Sequence, residues 1–144
     1  MEHKETIHLL KECDAGSKMA VTSIDEVLEF VRDEKLKKLL SESKAHHEKL
    51  GNETHELLSK YNSEEKDPSI MAKGMSWLKT NMKLGMDDSD ATIADLITDG
   101  CDMGVKSLNQ YLNEYSDADK AAKDVCKRLI KIEEDLRQDI QTYL

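Results

Sequence analysis

The chain has few of the residues that strands, tight turns and membrane spans require. Its 144 residues include one proline, six glycines, one tryptophan, one phenylalanine and four tyrosines. Strands favour β-branched and aromatic residues, and no apolar run approaches the roughly 18–20 residues of a membrane span. Charged residues make up 35% of the chain, which is typical of amphipathic helices with aliphatic inner faces. The composition predicts a single all-α domain spanning residues 1–144.

The net charge limits the classes of binding partner, and the cysteine content indicates the cellular compartment. The formal net charge is −9, which argues against nucleic acid because phosphate binding needs clustered Lys and Arg. The three cysteines form no Cys-x-x-Cys pair, so reduced thiols in a cytoplasm fit better than a disulfide framework. We therefore expect a cytoplasmic protein with no nucleic-acid or membrane partner.

A short pattern occurs twice and divides the chain into halves. Cys13–Lys18 reads Cys-Asp-x-Gly-x-Lys, and Cys101–Lys106 repeats it 88 residues later. Each copy lies in a helical stretch that a second helical stretch follows. A shift of 82 residues places the second of these helices on the last one, with His47 falling on Leu129. This repeat predicts two hairpins, residues 2–61 and 90–144, joined by a crossover at 62–89 in a pseudo-twofold four-helix bundle.

Apolar and small residues at alternating spacings of four and three predict where the helices lie. We expect a first helix from Glu2 to Val31, with Asp33 as the N-cap of the next helix. Gly16 and Gly104 are expected to let the first and third helices approach closely. The other helices are predicted over residues 34–61, over residues 90–115, and from about residue 118 to the end of the chain. The residues expected to face the bundle centre, here called the seams, are Thr6, Leu10, Cys13, Ser17, Ala20, Ile24, Val27 and Val31; Leu36, Leu40, Ser43, His47, Leu50, Thr54, Leu57 and Tyr61; Ile93, Ile97, Cys101, Gly104, Leu108, Tyr111 and Tyr115; and Ala118, Ala122, Val125, Leu129, Ile132, Leu136, Ile140 and Tyr143.

The crossover should carry a helix of its own. Pro68 stands just before a helical stretch from Ser69 to Met86, with a methionine-rich stripe along one side. Such a stripe indicates adaptable packing or a contact face for another subunit. Copper or haem binding is the alternative interpretation of the same stripe.

Several short motifs resemble those of a known family. They are Leu10–Gly16 in the first helix, Asp33–Lys37 at the hairpin, Gly74–Lys79 in the crossover and Asp99–Asp102 in the third helix. Together they resemble the bacterial ferritin-like four-helix-bundle family that is classed as a domain of unknown function. The resemblance implies a ferritin-like fold with a long crossover, and it implies no settled activity.

Ferritin-like bundles suggest a di-metal centre, which needs Glu-x-x-His motifs from two helices and a Glu from each of the others. The chain has one such motif, formed by Glu5 and His8, while the repeat places Ile93 and Leu96 at the equivalent positions. A less regular iron or zinc site remains as a hypothesis. Solvated polar residues beside the seam are the other interpretation. The candidate metal ligands are Glu5, His8, Glu12, His47, Glu48 and His55.

His47 and the cysteines also admit two interpretations each. A histidine at a seam position is either hydrogen-bonded in the core, with Ser17 as a candidate partner, or functional. Cys13, Cys101 and Cys126 are expected to act as small apolar core residues, with a redox or thiol–metal role as the alternative. Asp14, Asp99, Asp102 and Glu133 are interpreted as ordinary acidic flanks of their seams, with a carboxylate pair for acid–base chemistry as the alternative.

The sequence favours a non-enzymatic cytoplasmic bundle that acts through helix surfaces or forms homo-oligomers, without a catalytic site or bound cofactor. The alternative is a metal-binding or oxidative-stress protein built on the candidate ligands above. No Ser-His-Asp arrangement, phosphate loop or nucleotide fingerprint is visible.

Overall fold

The computed structural model describes residues 3–61 and 89–144, and every regular element within them is helical. The four α-helices are α1 (Lys4–Leu28), α2 (Glu34–Lys60), α3 (Asp90–Glu114) and α4 (Lys120–Ile140), followed by a 3₁₀ turn at Gln141–Tyr143. The predicted all-α class and four long helices are confirmed. The predicted crossover helix and its methionine stripe lie outside the described residues. Within the two described ranges, no helix is long and apolar enough to cross a membrane.

Side-chain caps fix the starts of α2 and α3. The Asp33 carboxylate accepts hydrogen bonds from the backbone N–H groups of Lys35 at 2.8 Å and Leu36 at 3.0 Å. Asp33 is therefore the N-cap that the sequence predicted. Ser89 Oγ accepts from the N–H of Thr92 at 3.2 Å and caps α3 in the same way.

Two helices end earlier than predicted. The first was expected to reach Val31 but ends at Leu28, where the N–H of Phe30 bonds to the carbonyl of Val27 at 3.0 Å. Such i→i+3 bonds tighten the last turn and begin the reversal into α2. The last helix was expected to continue to the end of the chain, but its α-helical part ends at Ile140.

The turn between α1 and α2 contacts the first residue of α3. The backbone N–H groups of Arg32 and Asp33 each donate to the carboxylate of Asp90, both at 2.9 Å. One end of the bundle therefore contains the end of α1 and the starts of α2 and α3.

The turn between α3 and α4 contacts the start of α1 at the opposite end. The N–H of Asp117 donates to Glu5 at 2.6 Å, and the N–H of Asp119 donates to Thr6 Oγ1 at 2.7 Å. The hydroxyl of Tyr61, just after α2, also donates to Asp119 at 2.9 Å. The helices therefore run up, down, down and up, with α1 parallel to α4 and α2 parallel to α3. Residues 61 and 89 lie at opposite ends of the bundle.

The core consists of two hydrophobic clusters with polar side chains between them. The upper cluster, at the end that holds the α1–α2 turn, includes Ile24 and Leu36, and the lower cluster includes Leu10 and Leu58. Along their helices, buried polar residues lie between members of the two clusters; these are Ser17, Ser43, His47 and Glu133. Each cluster takes side chains from all four helices, so packing at both ends joins the two hairpins.

Most predicted seam residues are buried, and the ones that are only half-buried are Ala20, Leu57, Tyr61, Gly104, Tyr111, Tyr115, Ile132 and Tyr143. On α2, Leu58 is buried and Leu57 is only half-buried. On α4, the buried face is wider than predicted, because Cys126, Ile130 and Glu133 are buried as well. The buried faces of α1 and α3 are also wider than predicted; the additional buried residues are Leu9, Asp14 and Ala15 on α1 and Ala94 and Leu96 on α3.

Gly16 and Gly104 both face α4. A Cβ atom added to Gly16 would lie 3.7 Å from Cδ2 of Leu129, and one added to Gly104 would lie 3.6 Å from Cδ of Glu133. The prediction that these glycines bring the first and third helices together is therefore wrong. They make room for side chains of the last helix instead.

A buried histidine–glutamate pair as candidate functional site

His47 lies in the middle of α2 and points into the core. Its neighbours at seam spacing, Leu40 and Leu50, are buried too, so the aliphatic face of α2 carries the imidazole inward. Only 1% of the residue is exposed.

Both ring nitrogens of His47 face acceptors on the protein. Nδ1 lies 2.8 Å from the carbonyl oxygen of Ser43, and Nε2 lies 2.8 Å from Oε1 of Glu133. Because a carbonyl oxygen only accepts, Nδ1 carries a hydrogen. The predicted partner, Ser17, is wrong, because its hydroxyl donates to the carbonyl of Asp14 at 2.9 Å instead.

Glu133 is the functional-site residue that sequence reasoning missed. It is 8% exposed, and it is not an ordinary acidic flank. A second series of α4 residues, spaced alternately by four and three positions, includes Glu133. This pattern could have identified the glutamate as a core-facing residue from the sequence. That series is Ala122, Cys126, Leu129, Glu133, Leu136 and Ile140.

The pair carries opposite charges. Burial lowers the pKa of His47, but the hydrogen bond and charge of Glu133 and the carbonyl of Ser43 outweigh it, so the pKa is raised overall. An imidazolium ion donates from both nitrogens and therefore satisfies both acceptors. The result is an ion pair enclosed by hydrophobic clusters, where the loss of either partner leaves a buried charge.

Cys101 of α3 completes the polar group. Burial raises the pKa of its thiol well above the ordinary value, and the charge of Glu133 and a hydrogen bond to that carboxylate raise it further. Nucleophilic cysteines need a lowered pKa, because the thiolate is the reactive form. The Cys101 thiol is therefore a hydrogen-bond donor to Glu133 and is poorly suited to nucleophilic catalysis.

The candidate metal ligands are distributed over the bundle. Glu5 accepts the N–H of Asp117 at the lower end, and His8 stacks on Tyr115 with ring centroids 5.5 Å apart. His47 is occupied in the core, as described above. The convergence predicted for Glu5, His8, Glu12 and His55 stays a prediction.

The other three candidate ligands do not complete a cluster. Glu48 and His55 are exposed on α2, and Glu12 is half-buried on α1. In residues 3–61 and 89–144, no group of three or more His, Cys, Asp or Glu side chains has the geometry to hold a metal ion. Metal binding by these residues stays a prediction, which titration tests.

The other acidic residues that were predicted to flank the seams differ from one another in burial and in partners. Asp14 is 1% exposed and pairs through Oδ2 with Lys18 at 2.9 Å, so it is not an ordinary acidic flank. Asp102 forms an ion pair with Arg137 on the surface, and Asp99 is exposed. These side chains do not form a shared carboxylate pair.

A shallow groove lies between α2 and α4 and has a volume of about 310 Å³. Arg128 lines it and pairs with Glu53 at 2.9 Å and with Asp124 at 3.0 Å. The charge of this arginine is thus already matched by two carboxylates, and the groove offers little to an anionic ligand.

Comparisons with protein families, with curated proteins and with solved structures found no match for this chain. The chemistry of the site therefore has to be argued from its own geometry. The His47–Glu133 pair is enclosed in the protein and has no exposed imidazole surface to offer a substrate. What it does directly is hold α2 of one hairpin against α4 of the other.

Proposed function

We propose that the protein is a non-enzymatic helical bundle that acts through its outer helix surfaces, with self-association as its first mode of contact. The observation that carries this proposal is that the His47 imidazole is fully buried and bonded on both sides to the protein itself. The two ring nitrogens of His47 bond to protein acceptors, and the imidazole is 0% exposed. General acid–base catalysis needs such a group within hydrogen-bond reach of a substrate.

The neighbouring thiol supports the same conclusion. Cys101 donates to Glu133 with a raised pKa, so the group lacks an activated nucleophile. The polar layer stabilises the register of the two hairpins, which is the best-attested use of a buried polar contact in helical bundles.

The outer surface supplies apolar contacts. Phe30 is 37% exposed at the α1–α2 turn, Met103 is 55% exposed on α3, and Leu144 is 58% exposed after α4. Since α4 runs parallel to α1, Phe30 and Leu144 lie at the same end of the bundle. Exposed apolar groups on a charged surface suit contacts between proteins.

We further propose that the bundle has the ferritin-like arrangement and works in a reducing cytoplasm. The up, down, down, up order of the helices supports the first part, because it requires a chain crossover between α2 and α3. The free thiols of Cys13, Cys101 and Cys126 support the second.

The test is the oligomeric state of the full chain, measured by light scattering and sedimentation equilibrium from micromolar to submillimolar concentration. We expect concentration-dependent association that Met103→Glu or Phe30→Glu weakens. Gln110→Glu is the matched control, because it adds the same charge to an exposed position of α3. A monomer at every concentration would overturn the self-association proposal.

A further inference from the structure

Two cysteines on parallel helices lie apart from the central pair. Cys13 of α1 is 1% exposed and Cys126 of α4 is 0% exposed, and both belong to the lower hydrophobic cluster. Both are free thiols. Because α1 comes from the first hairpin and α4 from the second, the two cysteines belong to different hairpins.

The register of α1 and α4 places the two cysteines level with each other. Two contacts between these helices flank the cysteines, one between Thr6 and Asp119 and one between Gly16 and Leu129. In both contacts the residue numbers differ by 113. The numbers of Cys13 and Cys126 also differ by 113, so the two residues lie at the same level along the helices.

At this level Gly16 leaves room for a side chain of α4. It lies one turn after Cys13, and a Cβ atom there would already contact Leu129 at 3.7 Å. A disulfide needs Cα atoms about 4.4–6.8 Å apart, which is closer than most helix pairs come. The separation of the Cys13 and Cys126 Cα atoms therefore decides whether the disulfide can close, and oxidation of the folded chain tests it.

The two thiols interact directly. Their hydrogen bond raises the pKa of Cys13, together with burial and the charge of Asp14, and the same hydrogen bond lowers the pKa of Cys126. Cys126 also lies 3.6 Å from the carbonyl oxygen of Leu108. The pair thus contains one thiol that ionises more readily and one that stays protonated beside it.

We propose that Cys13 and Cys126 are a redox-sensitive pair that hydrogen peroxide closes to an intrachain disulfide, cross-linking α1 to α4. This inference is independent of the proposed self-association. It assigns a modification site to two residues whose burial alone would suggest only packing.

The chemistry balances with peroxide as the oxidant. The Cys126 thiolate attacks one oxygen of hydrogen peroxide, a sulfur–oxygen bond forms, the oxygen–oxygen bond breaks and hydroxide leaves. Hydroxide takes the proton of the Cys13 thiol, and the Cys13 sulfur then attacks the sulfur of the Cys126 sulfenic acid, which releases its oxygen as hydroxide. That hydroxide takes up the proton that Cys126 lost at the start. In total, two thiols and one peroxide give one disulfide and two waters.

Cys101 provides an internal control. Its thiol donates to Glu133 and has a raised pKa, and it belongs to the upper cluster, away from the cysteine pair. We expect it to remain reduced while the pair oxidises.

The experiment treats the reduced full-length chain with a small excess of hydrogen peroxide well below its melting temperature. Remaining thiols are then alkylated, and the product is analysed by intact mass and peptide mapping. We expect a monomer that has lost two hydrogens, carries one alkyl group at Cys101 and yields a linked Cys13–Cys126 peptide. Its melting temperature should rise by several degrees and return on reduction, because the cross-link constrains the unfolded chain.

Variants distinguish formation of the Cys13–Cys126 disulfide from unselective oxidation of the three thiols. Cys101→Ser should form the same disulfide at the same rate, whereas Cys13→Ala and Cys126→Ala should form none and show no melting shift with peroxide. Circular dichroism before treatment establishes that each variant is folded. The proposal is overturned if peroxide leaves both thiols free, stops at sulfinic acid on Cys126, or links Cys101 to either residue.

Discussion

The Nε2 atom of His47 lies 2.8 Å from Oε1 of Glu133, and this contact joins the two hairpins through the middle of the core. The pair interrupts what would otherwise be one continuous apolar interior. A charged pair there is costly to desolvate, and its benefit is that only one register of α2 against α4 brings the two residues together. Stability and specificity at this site are therefore expected to respond differently to mutation.

A double-mutant cycle measures how much the pair contributes to stability. We expect His47→Leu and Glu133→Leu to lower the free energy of unfolding by about 3–5 kcal/mol each, because either change leaves a buried charge without its partner. The double variant should recover that loss and equal or exceed the parent in its free energy of unfolding, since two leucines extend the apolar core. Urea denaturation followed by circular dichroism gives all four values. Additive losses in the double variant would contradict the ion-pair description.

Stability should also depend on pH through His47. Its pKa in the folded protein is raised above the ordinary value of 6.5, so its contribution is fully present below about pH 6.5 and is lost as the pH rises through the folded-state pKa. The free energy of unfolding should therefore fall from about pH 6.5 towards pH 8, before unfolded-state thiols ionise near pH 8.5. The measurement is urea unfolding at a series of pH values. The control is the double leucine variant, in which the slope over this window should be shallower; an unchanged slope would exclude His47 as its source.

Two helical glycines should respond differently to substitution by alanine. Nothing lies within 4 Å of a Cβ atom added to Gly100, so Gly100→Ala should raise the free energy of unfolding by about 1 kcal/mol through helix propensity alone. A Cβ atom added to Gly51 would lie 2.9 Å from Ser17 Oγ. That hydroxyl must then rotate away and lose its bond to the Asp14 carbonyl, which costs about 1 kcal/mol. Gly51→Ala should therefore show no gain, and adding Ser17→Ala should restore it. The measurement is thermal unfolding of the parent, the two single glycine variants and the Gly51→Ala/Ser17→Ala variant. An equal gain in Gly51→Ala and Gly100→Ala would contradict the predicted clash between position 51 and Ser17.

Metal titration tests the six candidate ligands directly. Because Glu5 and His8 lie at one end of the bundle and His47 is enclosed in its middle, we expect no stoichiometric binding of zinc or ferrous iron to chelator-treated protein. Isothermal titration calorimetry on the full chain is the measurement. The His8→Ala/His55→Ala variant should give the same heats as the parent. Stoichiometric binding that this variant loses would favour the metal-binding alternative instead.

The helices themselves were predictable because their signals are local. Alternating spacings of four and three located all four elements, and Asp33 was recognisable as an N-cap from its position before an amphipathic run. His47 was recognised as a polar residue in a seam for the same reason.

The partner of His47 was not predictable from local pattern. Glu133 is 86 residues away, and the contact depends on how one hairpin is registered against the other. Periodicity along one helix does not contain that information. The direction in which Gly16 and Gly104 face was missed for a related reason, since a small residue marks a close approach without saying which neighbour approaches. The additional buried residues on α1, α3 and α4 likewise depend on how the helices pack together, which is a property of the assembled bundle.

The two ends of the bundle follow one rule: the turn of each hairpin is capped by the opening residues of the other. Asp90 accepts the N–H groups of the α1–α2 turn, and Glu5 and Thr6 accept those of the α3–α4 turn. Two identical hairpins with this reciprocal capping would close both ends of a symmetric dimer. Joining the halves in one chain allows equivalent positions to differ, so that position 47 holds histidine while its counterpart in the repeat, position 129, holds leucine. A dimer of identical hairpins would have to carry the buried charge at both places or at neither.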